Sequence, residues 1–340
     1  MKMRAIDKYI VCYVLFSISV CAQGKNGTAG AQELLIPVGA NGISLNGSNI
    51  SYISGLNSIY YNPAGLYYSD SFIEALFSHM NYIADIGVSF AAIRVNLGNY
   101  GTAALNIRTL DFGDIPVTTT DFPYGTGETF SPNYLVAGLT YSNILRKNLS
   151  FGVSINVISE KIAKTSATGI SFDIGLQYRS VANIEGLSVG VAIKNLGPQM
   201  TYDGSDLYRT AIDTNSRGEN QIYKIDAAGF DLPFAVDIGI GYQSQVFDKL
   251  NASILTAAST GQYANNEYKF GAELSYDEMF FLRGGYSITM NSVPEDQKLF
   301  GPTFGIGLKV KEGFNLTVEY AYRTAKYFNS NHVFQVILGF

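Results

Sequence analysis

From about residue 72 to the C terminus, apolar side chains alternate with small or polar ones, segment after segment. Residues 150–157 place Phe, Val, Ile and Val at every second position, with Ser, Gly, Ser and Asn between them. The same pattern recurs in four further segments, at residues 170–179, 234–243, 303–311 and 314–323. A period of two puts successive side chains on opposite faces of a β-strand. The pattern therefore predicts strands rather than helices.

Counting the alternating segments gives about fourteen strands. The expected bounds are 72–80, 85–97, 100–109, 131–142, 149–161, 168–179, 186–196, 232–244, 249–260, 266–277, 279–289, 301–311, 313–323 and 331–340. The alternation shifts by one position at Ala91–Ala92, which predicts a β-bulge in the second strand. The strand count is even, as is typical of single-chain bacterial outer-membrane barrels.

A soluble β-sandwich also has one apolar face, so other features must separate it from a membrane barrel. The segments are about ten residues long, the length that a tilted strand needs to cross a bilayer. Only 15% of the residues are charged, against about 25% in typical soluble proteins. The sequence predicts an all-β protein, a transmembrane antiparallel up-and-down β-barrel of about 14 strands with an N-terminal luminal plug.

The lengths of the connections give an independent test of this topology. Long connections near 110–130, 197–231 and 290–300 all follow odd-numbered strands, and links after even-numbered strands are short. Outer-membrane barrels have short periplasmic turns and long extracellular loops. The parity predicts periplasmic N and C termini.

Residues 1–22 have the pattern of an export signal, with basic residues before a short apolar run and a small residue at Ala22. A membrane-anchoring helix, or a lipoprotein signal ending at Cys21, is the alternative. Cleavage after Ala22 would remove both cysteines and change the formal net charge from −5 to −7. We therefore expect no disulfide and no cysteine metal site. The negative charge argues against nucleic-acid binding.

Residues 23–71 do not alternate, and they are rich in glycine and poor in charge. They are too apolar for a solvated tail. We expect them to form a plug inside the barrel, with a periplasmic linker as the alternative, and residues 72–340 to form the barrel. A turn at Asn62-Pro63-Ala64-Gly65 is predicted within the plug.

The last strand ends in an aromatic residue. Phe334, Val336, Leu338 and Phe340 share one face of this strand. The ending resembles the C-terminal signal that the barrel-assembly machinery recognises on outer-membrane proteins, so that machinery and outer-membrane lipid are expected partners.

Two stretches carry a resemblance to a known family. Residues 34–66, "LLIPVGANGISLNGSNISYISGLNSIYYNPAGL", and residues 190–198, "GVAIKNLGP", resemble motifs of the PorV/PorQ family, which belongs to the FadL-like group of fourteen-stranded barrels. The resemblance implies a Bacteroidetes-like Gram-negative outer membrane and assigns motif positions to Asn62-Pro63-Ala64 in the hatch and to Asn195, Leu196, Gly197 and Pro198. Asn41-Gly42 departs from the Ala-Arg of many relatives, which leaves the branch within the family open.

Little in the chain suits catalysis. Its two histidines, His79 and His332, lie on strands that would be neighbours in a closed barrel, and we expect them to be interfacial. Asp173, Asp237, Glu273 and Glu319 are expected to pair with Lys194, Arg283 and Arg323 as a salt-bridge ladder. The sequence predicts a non-enzymatic protein without a cofactor.

Two functions remain open. By resemblance, a PorV/PorQ-type barrel acts in type IX protein secretion and docks cargo C-terminal signal domains, the translocon or attachment-complex proteins through its outer loops. Candidate docking aromatics are Phe122, Tyr124, Phe130, Tyr202 and Tyr208. The alternative is a FadL-like channel for hydrophobic small molecules, in which the plug shifts and a kinked wall strand opens a lateral exit. The first function is favoured on the N-terminal motif.

Overall fold

The computed structural model describes residues 29–212, 220–261, 266–289 and 298–340. In chain order the strands are β1 (Ile73–Asn81), β2 (Gly87–Asn96), β3 (Thr102–Asp111), β4 (Ile115–Pro116), β5 (Thr129–Phe130), β6 (Asn133–Arg146), β7 (Leu149–Ile162), β8 (Thr165–Arg179), β9 (Leu187–Leu196), β10 (Asp203–Gly204), β11 (Tyr208–Ile212), β12 (Asn220–Lys224), β13 (Ala235–Phe247), β14 (Leu250–Gly261), β15 (Glu267–Tyr276), β16 (Phe280–Thr289), β17 (Phe300–Glu312), β18 (Phe314–Ala325) and β19 (Asn331–Gly339).

Fourteen of these strands form one closed antiparallel barrel. Each pairs with its neighbour along the chain, except that β3 pairs with β6 and β9 with β13, across connections that hold the short strands. The barrel closes because β1 pairs with β19, with Phe77 opposite Val336. The predicted fourteen-stranded barrel is confirmed, and the predicted strand bounds lie within a few residues of the observed ones.

The barrel has a long-loop end and a short-turn end. Residues 112–132, which contain the β4–β5 hairpin, and residues 197–234, which contain β10, β11 and β12, connect wall strands at the long-loop end. At the opposite end, links such as Asn148 and Gly313 turn with positive φ. The predicted parity of long and short connections is confirmed for both long loops. The third predicted loop, near 290–300, lies largely outside the described residues.

The two faces of the wall differ in polarity. On β7 and β8, outward-facing Ile155 and Phe172 are at least 40% exposed, whereas inward-facing Ser154 and Gln177 are fully buried. An apolar outer band matches lipid, and a polar inner face matches a lumen. The period-two pattern of the sequence therefore separates lipid-facing from luminal side chains.

The predicted bulge at Ala91–Ala92 is wrong. The pairing of β2 with β1 and β3 is continuous, with Ala91 opposite Phe77 and Ala92 opposite Leu76. Along β2 the inward side chains change from apolar Val88 and Phe90 to the guanidinium of Arg94, all three buried. The inward positions of β2 therefore change from apolar to polar along the strand. In the sequence pattern this change looks the same as a shift in register.

Residues 29–71 contact the inner face of the wall. They form two short helices, α1 (Ala40–Ser44) and α2 (Ser58–Tyr61), and 3₁₀ turns at Gln32–Leu35, Gly55–Asn57 and Pro63–Tyr67. No helix in the described parts of the chain is long and apolar enough to span a bilayer. We call residues 29–71 the luminal segment; that it closes the lumen as a plug stays a prediction.

Candidate functional site: the lumen

The long-loop half of the lumen has an apolar patch on its wall. Five inward-facing side chains from neighbouring strands form this patch, and each is at most 5% exposed: Met80, Val88, Phe90, Leu110 and Val136. Side chains of the luminal segment cover it, because Ile36, Val38 and Ile59 pack in the same cluster as Phe90. Barrel interiors are ordinarily polar. The apolar wall here matches the apolar side chains of the luminal segment that cover it.

The opposite wall of the same half is charged. The ammonium of Lys194 lies 2.7 Å from a carboxylate oxygen of Asp237, and the Asp237 side chain is 1% exposed. The Tyr60 ring of the luminal segment lies 4.9 Å from Lys194 Nζ and 5.8 Å from the Arg108 guanidinium carbon. Burial is the main cause that raises the pKa of the Tyr60 hydroxyl above its ordinary value. The phenol thus remains neutral between two cations.

The predicted turn at Asn62-Pro63-Ala64-Gly65 docks on the wall. Asn62 Oδ1 accepts from the Ala64 backbone N–H at 3.2 Å and so caps the 3₁₀ turn. Asn62 Nδ2 donates to the carbonyls of Ile50 at 2.9 Å and Leu176 at 3.1 Å. The amide therefore joins the turn to the rest of the luminal segment and to β8.

Two wall glycines leave room for this turn. A Cβ atom at Gly152 would lie 2.3 Å from the Pro63 carbonyl group, and one at Gly175 would lie 2.1 Å from Asn62 Oδ1. Such separations are far below van der Waals contact. Glycine at these two positions is needed for the close approach of the turn to β7 and β8.

The second predicted motif forms a break in the wall. Asn195 has a φ of 59°, and the register of β8 and β9 shifts between Phe172 and Ile174. The carboxylate of Asp173 fills the break, because Oδ1 accepts from the Asn195 backbone N–H at 2.7 Å and Oδ2 accepts from Asn156 Nδ2 at 2.7 Å. This is a β-bulge held by side chains.

The rest of the motif shapes the end of β9. Leu196 faces outward and is 48% exposed. A Cβ atom at Gly197 would lie 2.3 Å from the Ile170 carbonyl oxygen. Pro198 and Pro233 lie on the two chains that leave the β9–β13 pair, and neither has a backbone N–H to donate. Regular pairing of the wall therefore ends here.

Replacing Asp173 with alanine is expected to lower the free energy of unfolding by about 2–4 kcal/mol, since two buried donors lose their acceptor. Asp173→Asn keeps one acceptor oxygen and should lose about half as much. Urea unfolding of the barrel in lipid vesicles measures both. Equal stability of Asp173→Ala and the wild type would show that the bulge does not need this carboxylate.

The short-turn half of the lumen holds one part of the predicted ladder of charges. Lys194 and Asp237 form a separate pair in the long-loop half, and Asp173 binds the amide groups of Asn156 and Asn195 instead of a cation. Arg283 donates from Nε to Glu273 at 2.5 Å and from Nη1 to Glu319 at 2.7 Å. The luminal segment joins this network, because the Tyr52 hydroxyl donates to Glu273 at 3.1 Å and Asn41 Nδ2 donates to Glu319 at 3.5 Å. The geometry is that of a salt-bridge network, not of a catalytic carboxylate pair. Arg323 is different from the prediction: it stacks 3.5 Å over the Phe300 ring.

Cavities lie in both halves. A polar vestibule of about 560 Å³ at the short-turn end is lined by Arg283, Glu278 and Lys309 among others. Two smaller cavities, of about 40 and 110 Å³, lie between the luminal segment and the charged wall and share Tyr60 and Lys194. The luminal segment lines both smaller cavities.

The two histidines face outward from neighbouring strands but do not meet in one site. His332 lies opposite Asn81, and His79 lies opposite Phe334. The Nδ1 atom of His79 lies 3.0 Å from the Ser89 hydroxyl, and that of His332 lies 2.8 Å from the Tyr320 hydroxyl. Separate hydroxyl partners are what two interfacial histidines would have.

The remaining predicted residues fall into two groups. Phe334, Val336 and Leu338 face outward from β19, and Phe340 directly follows this strand; all four are at least 37% exposed. Their recognition by the assembly machinery stays a prediction. In the loops, Phe122, Tyr124 and Tyr208 are exposed and Phe130 is half-buried. Tyr202 is not a free docking side chain, because its hydroxyl bonds to Glu160 and its ring packs on Phe230.

Sequence reasoning missed three buried ionisable side chains, namely two wall arginines that bind the luminal segment and Glu33 within the segment. Arg94 donates to the carbonyls of Leu66 at 3.0 Å and Ser71 at 2.8 Å, and Arg108 donates to the Ile36 carbonyl at 3.1 Å. Glu33 is 3% exposed. A signal was present for the arginines, since each occupies an inward position of an alternating strand.

No known family model matches the chain, and no curated protein matches its sequence. Its fold does match solved structures. The Pseudomonas putida toluene transporter TodX has a TM-score of 0.54 at 14% identity, covering 88% of this chain and 96% of TodX. The monoaromatic hydrocarbon channel CymD has a TM-score of 0.54 at 13% identity, covering 90% of this chain and 98% of CymD.

A third structure agrees with these two. The Ralstonia pickettii toluene transporter TbuX has a TM-score of 0.52 at 12% identity, covering 88% of this chain and 97% of TbuX. Each of the three is named as a transporter or channel, and none as an enzyme. The protein therefore has the fold of the FadL-like barrels of the Gram-negative outer membrane.

Proposed function

We propose that the protein is an outer-membrane channel for hydrophobic small molecules. The observation that carries this proposal is the apolar patch on the luminal wall, formed by Met80, Val88, Phe90, Leu110 and Val136. A water-filled pore does not need an apolar wall. The luminal segment covers this patch, and once the segment shifts, an apolar solute would gain about 25 cal/mol for each Å² that it buries there. The fold shared with hydrocarbon channels supports the same function.

The break at Asn195 fits the route by which such a solute would leave. Regular pairing ends at Leu196, and at the next residue a Cβ atom on Gly197 would lie 2.7 Å from the Leu232 side chain. An apolar solute that left sideways here would pass from the lumen into the membrane without crossing water. In this proposal residues 1–22, which lie outside the described residues, are the export signal, and residues 23–71 are the plug. The long loops face the outside of the cell, so Phe340 lies on the periplasmic side.

Uptake of radiolabelled toluene by a Gram-negative host that lacks its own channel tests the proposal. Expression of the wild type should raise the uptake rate above that of the empty vector. Phe90→Asp should lower the rate by about tenfold, because it places a charge on the apolar path, whereas Phe90→Leu should retain most of it. Heat-modifiable migration confirms that each barrel is folded. Equal uptake with Phe90→Asp, or none above the vector with the wild type, would contradict the channel.

Type IX protein secretion, with membership of the PorV/PorQ family, is the second candidate. Its support is the N-terminal motif together with the exposed Phe122 and Tyr124, the latter 100% exposed. Affinity capture of tagged protein from outer membranes of its own host should then recover translocon, cargo or attachment-complex proteins. Recovery of none, together with measurable toluene uptake, would reject this candidate.

A further inference from the structure

Two buried carboxyl groups lie near each other at the long-loop end of the lumen. Glu33 belongs to the first 3₁₀ turn of the luminal segment and is 3% exposed, and Glu160 lies near the end of β7 and is 2% exposed. In the described parts of the chain, no donor reaches either carboxyl oxygen of Glu33 while both carboxyl groups are ionised. A proton on one of them would join Glu33 to Glu160 by a hydrogen bond. An ionised carboxylate in such a place is costly.

The charged and titratable groups around Glu33 come from every element packed against it. Glu160 on β7 adds a like charge, and Arg108 on β3 adds an opposite one. Arg108 Nη1 donates to the Ile36 carbonyl, and Arg108 Nε has no hydrogen-bond partner among the described residues. Tyr134 on β6 and Tyr202 in the loop complete the surroundings, both next to Glu160.

Glu160 also connects this turn to the long loop. Its Oε2 accepts the Tyr202 hydroxyl, and the ring of Tyr202 packs on Phe230. Phe230 in turn lies tight against the start of the luminal segment, where a Cβ atom at Gly30 would be 2.1 Å from the ring. Tyr202, Phe230, β7 and residues 30–34 thus meet around the Glu160 carboxylate.

We propose that a proton on Glu33 latches the start of the luminal segment against Tyr202 and Phe230, and that its loss releases residues 29–36 from the wall. Leu34, the next residue along the chain, packs in an apolar cluster with Val136 and Ile158. A neutral Glu33 is compatible with burial next to this cluster, whereas an ionised one is costly there. Ionised Glu33 would place a second negative charge beside Glu160 with one cation nearby. The latch does not depend on which solute the channel carries.

Electrostatics gives the direction of the pH dependence. Burial first, and then the Glu160 carboxylate, raise the pKa of Glu33 from 4.5 to about 8. In the released state, Glu33 meets water and regains its ordinary pKa. The docked state therefore binds the proton more tightly, so docking is strongest below pH 4.5 and weakens steadily as the pH rises to about 8. Above that pH both states are ionised, and docking weakens no further.

A nitroxide on Gln32→Cys tests the latch in the full-length barrel in lipid nanodiscs. Gln32 is exposed and adjoins Glu33, so the label reports the mobility of the turn without entering the buried site. The electron paramagnetic resonance line shape is recorded from about pH 5 to about pH 9. Carboxyl groups with an ordinary pKa are already ionised over most of this range, whereas one with a raised pKa still titrates within it. Mass spectrometry confirms a single label.

The wild type should show a mobile component that grows severalfold across this range, and Glu33→Gln, which cannot ionise, should remain immobile throughout. Glu160→Gln removes the like charge and should reduce the change. Glu278→Gln is the matched control, because Glu278 pairs with Lys311 in an exposed turn at the opposite end, and it should titrate as the wild type does. Heat-modifiable migration checks folding. The latch is rejected if Glu33→Gln titrates like the wild type or if the wild-type line shape is constant.

Discussion

Valine at both Gly152 and Gly175 should expel the Asn62–Pro63 turn from the wall and open the lumen to ions. Each new Cβ would lie 2.3 Å or less from an atom of the turn. Neither β7 nor β8 can move away from the turn without losing backbone hydrogen bonds to its neighbouring strands. Overpacking costs about 1–3 kcal/mol even where the surroundings adjust. The wall itself should tolerate valine, which favours strands. The turn should therefore leave.

Planar-bilayer conductance measures the result. Without the docked turn, a fourteen-stranded barrel encloses an aqueous lumen, so the conductance of the double variant should exceed that of the wild type by about tenfold or more. Gly284→Val is the control, because a Cβ there would have a single neighbour, 3.8 Å away, and its conductance should equal the wild-type value. A double variant that is folded and as closed as the wild type would show that the luminal segment closes the barrel without this turn.

The barrel could be predicted from the sequence because lipid and lumen impose opposite demands on alternate residues. On β7, Phe151 and Ser150 already show the two faces. The same rule misled at Ala91–Ala92, since it assumes a uniformly polar lumen. A luminal patch formed by Val88 and Phe90 cannot be distinguished from a register shift until the luminal segment is known to cover it.

The site was less predictable because its contacts join residues far apart in sequence. Asn62 and Asn195 could be selected by their motifs, but nothing local shows that Asn62 reaches Leu176 or that Asp173 fills the break at Asn195. In the sequence, Gly152 and Gly175 look like any other small residues on the luminal face of a strand. Their role in receiving Pro63 depends on where the segment docks.

Arg283→Met should lower the free energy of unfolding by about 3–5 kcal/mol, because it leaves two buried carboxylates without their cation. Glu273 and Glu319 are 4% and 3% exposed, and both depend on the same guanidinium. Glu319 Oε2 accepts from Gln335 Nε2 at 2.5 Å, and Gln335 Oε1 accepts from the Ala40 backbone N–H at 3.0 Å. Loss of Arg283 should therefore loosen the luminal segment at α1 as well as the wall.

Urea unfolding in lipid vesicles, with two comparison variants, separates a buried charge defect from a loss of packing. Lys311→Met breaks an exposed ion pair and should cost about 1 kcal/mol or less. Adding Glu273→Gln and Glu319→Gln to Arg283→Met removes the two carboxylates that were left without a cation. The triple variant should recover most of the lost free energy of unfolding. If the triple variant is as unstable as Arg283→Met alone, the defect arises from the missing arginine side chain itself. The network would then hold the segment by shape, and the charge balance of the lumen would not matter to its docking.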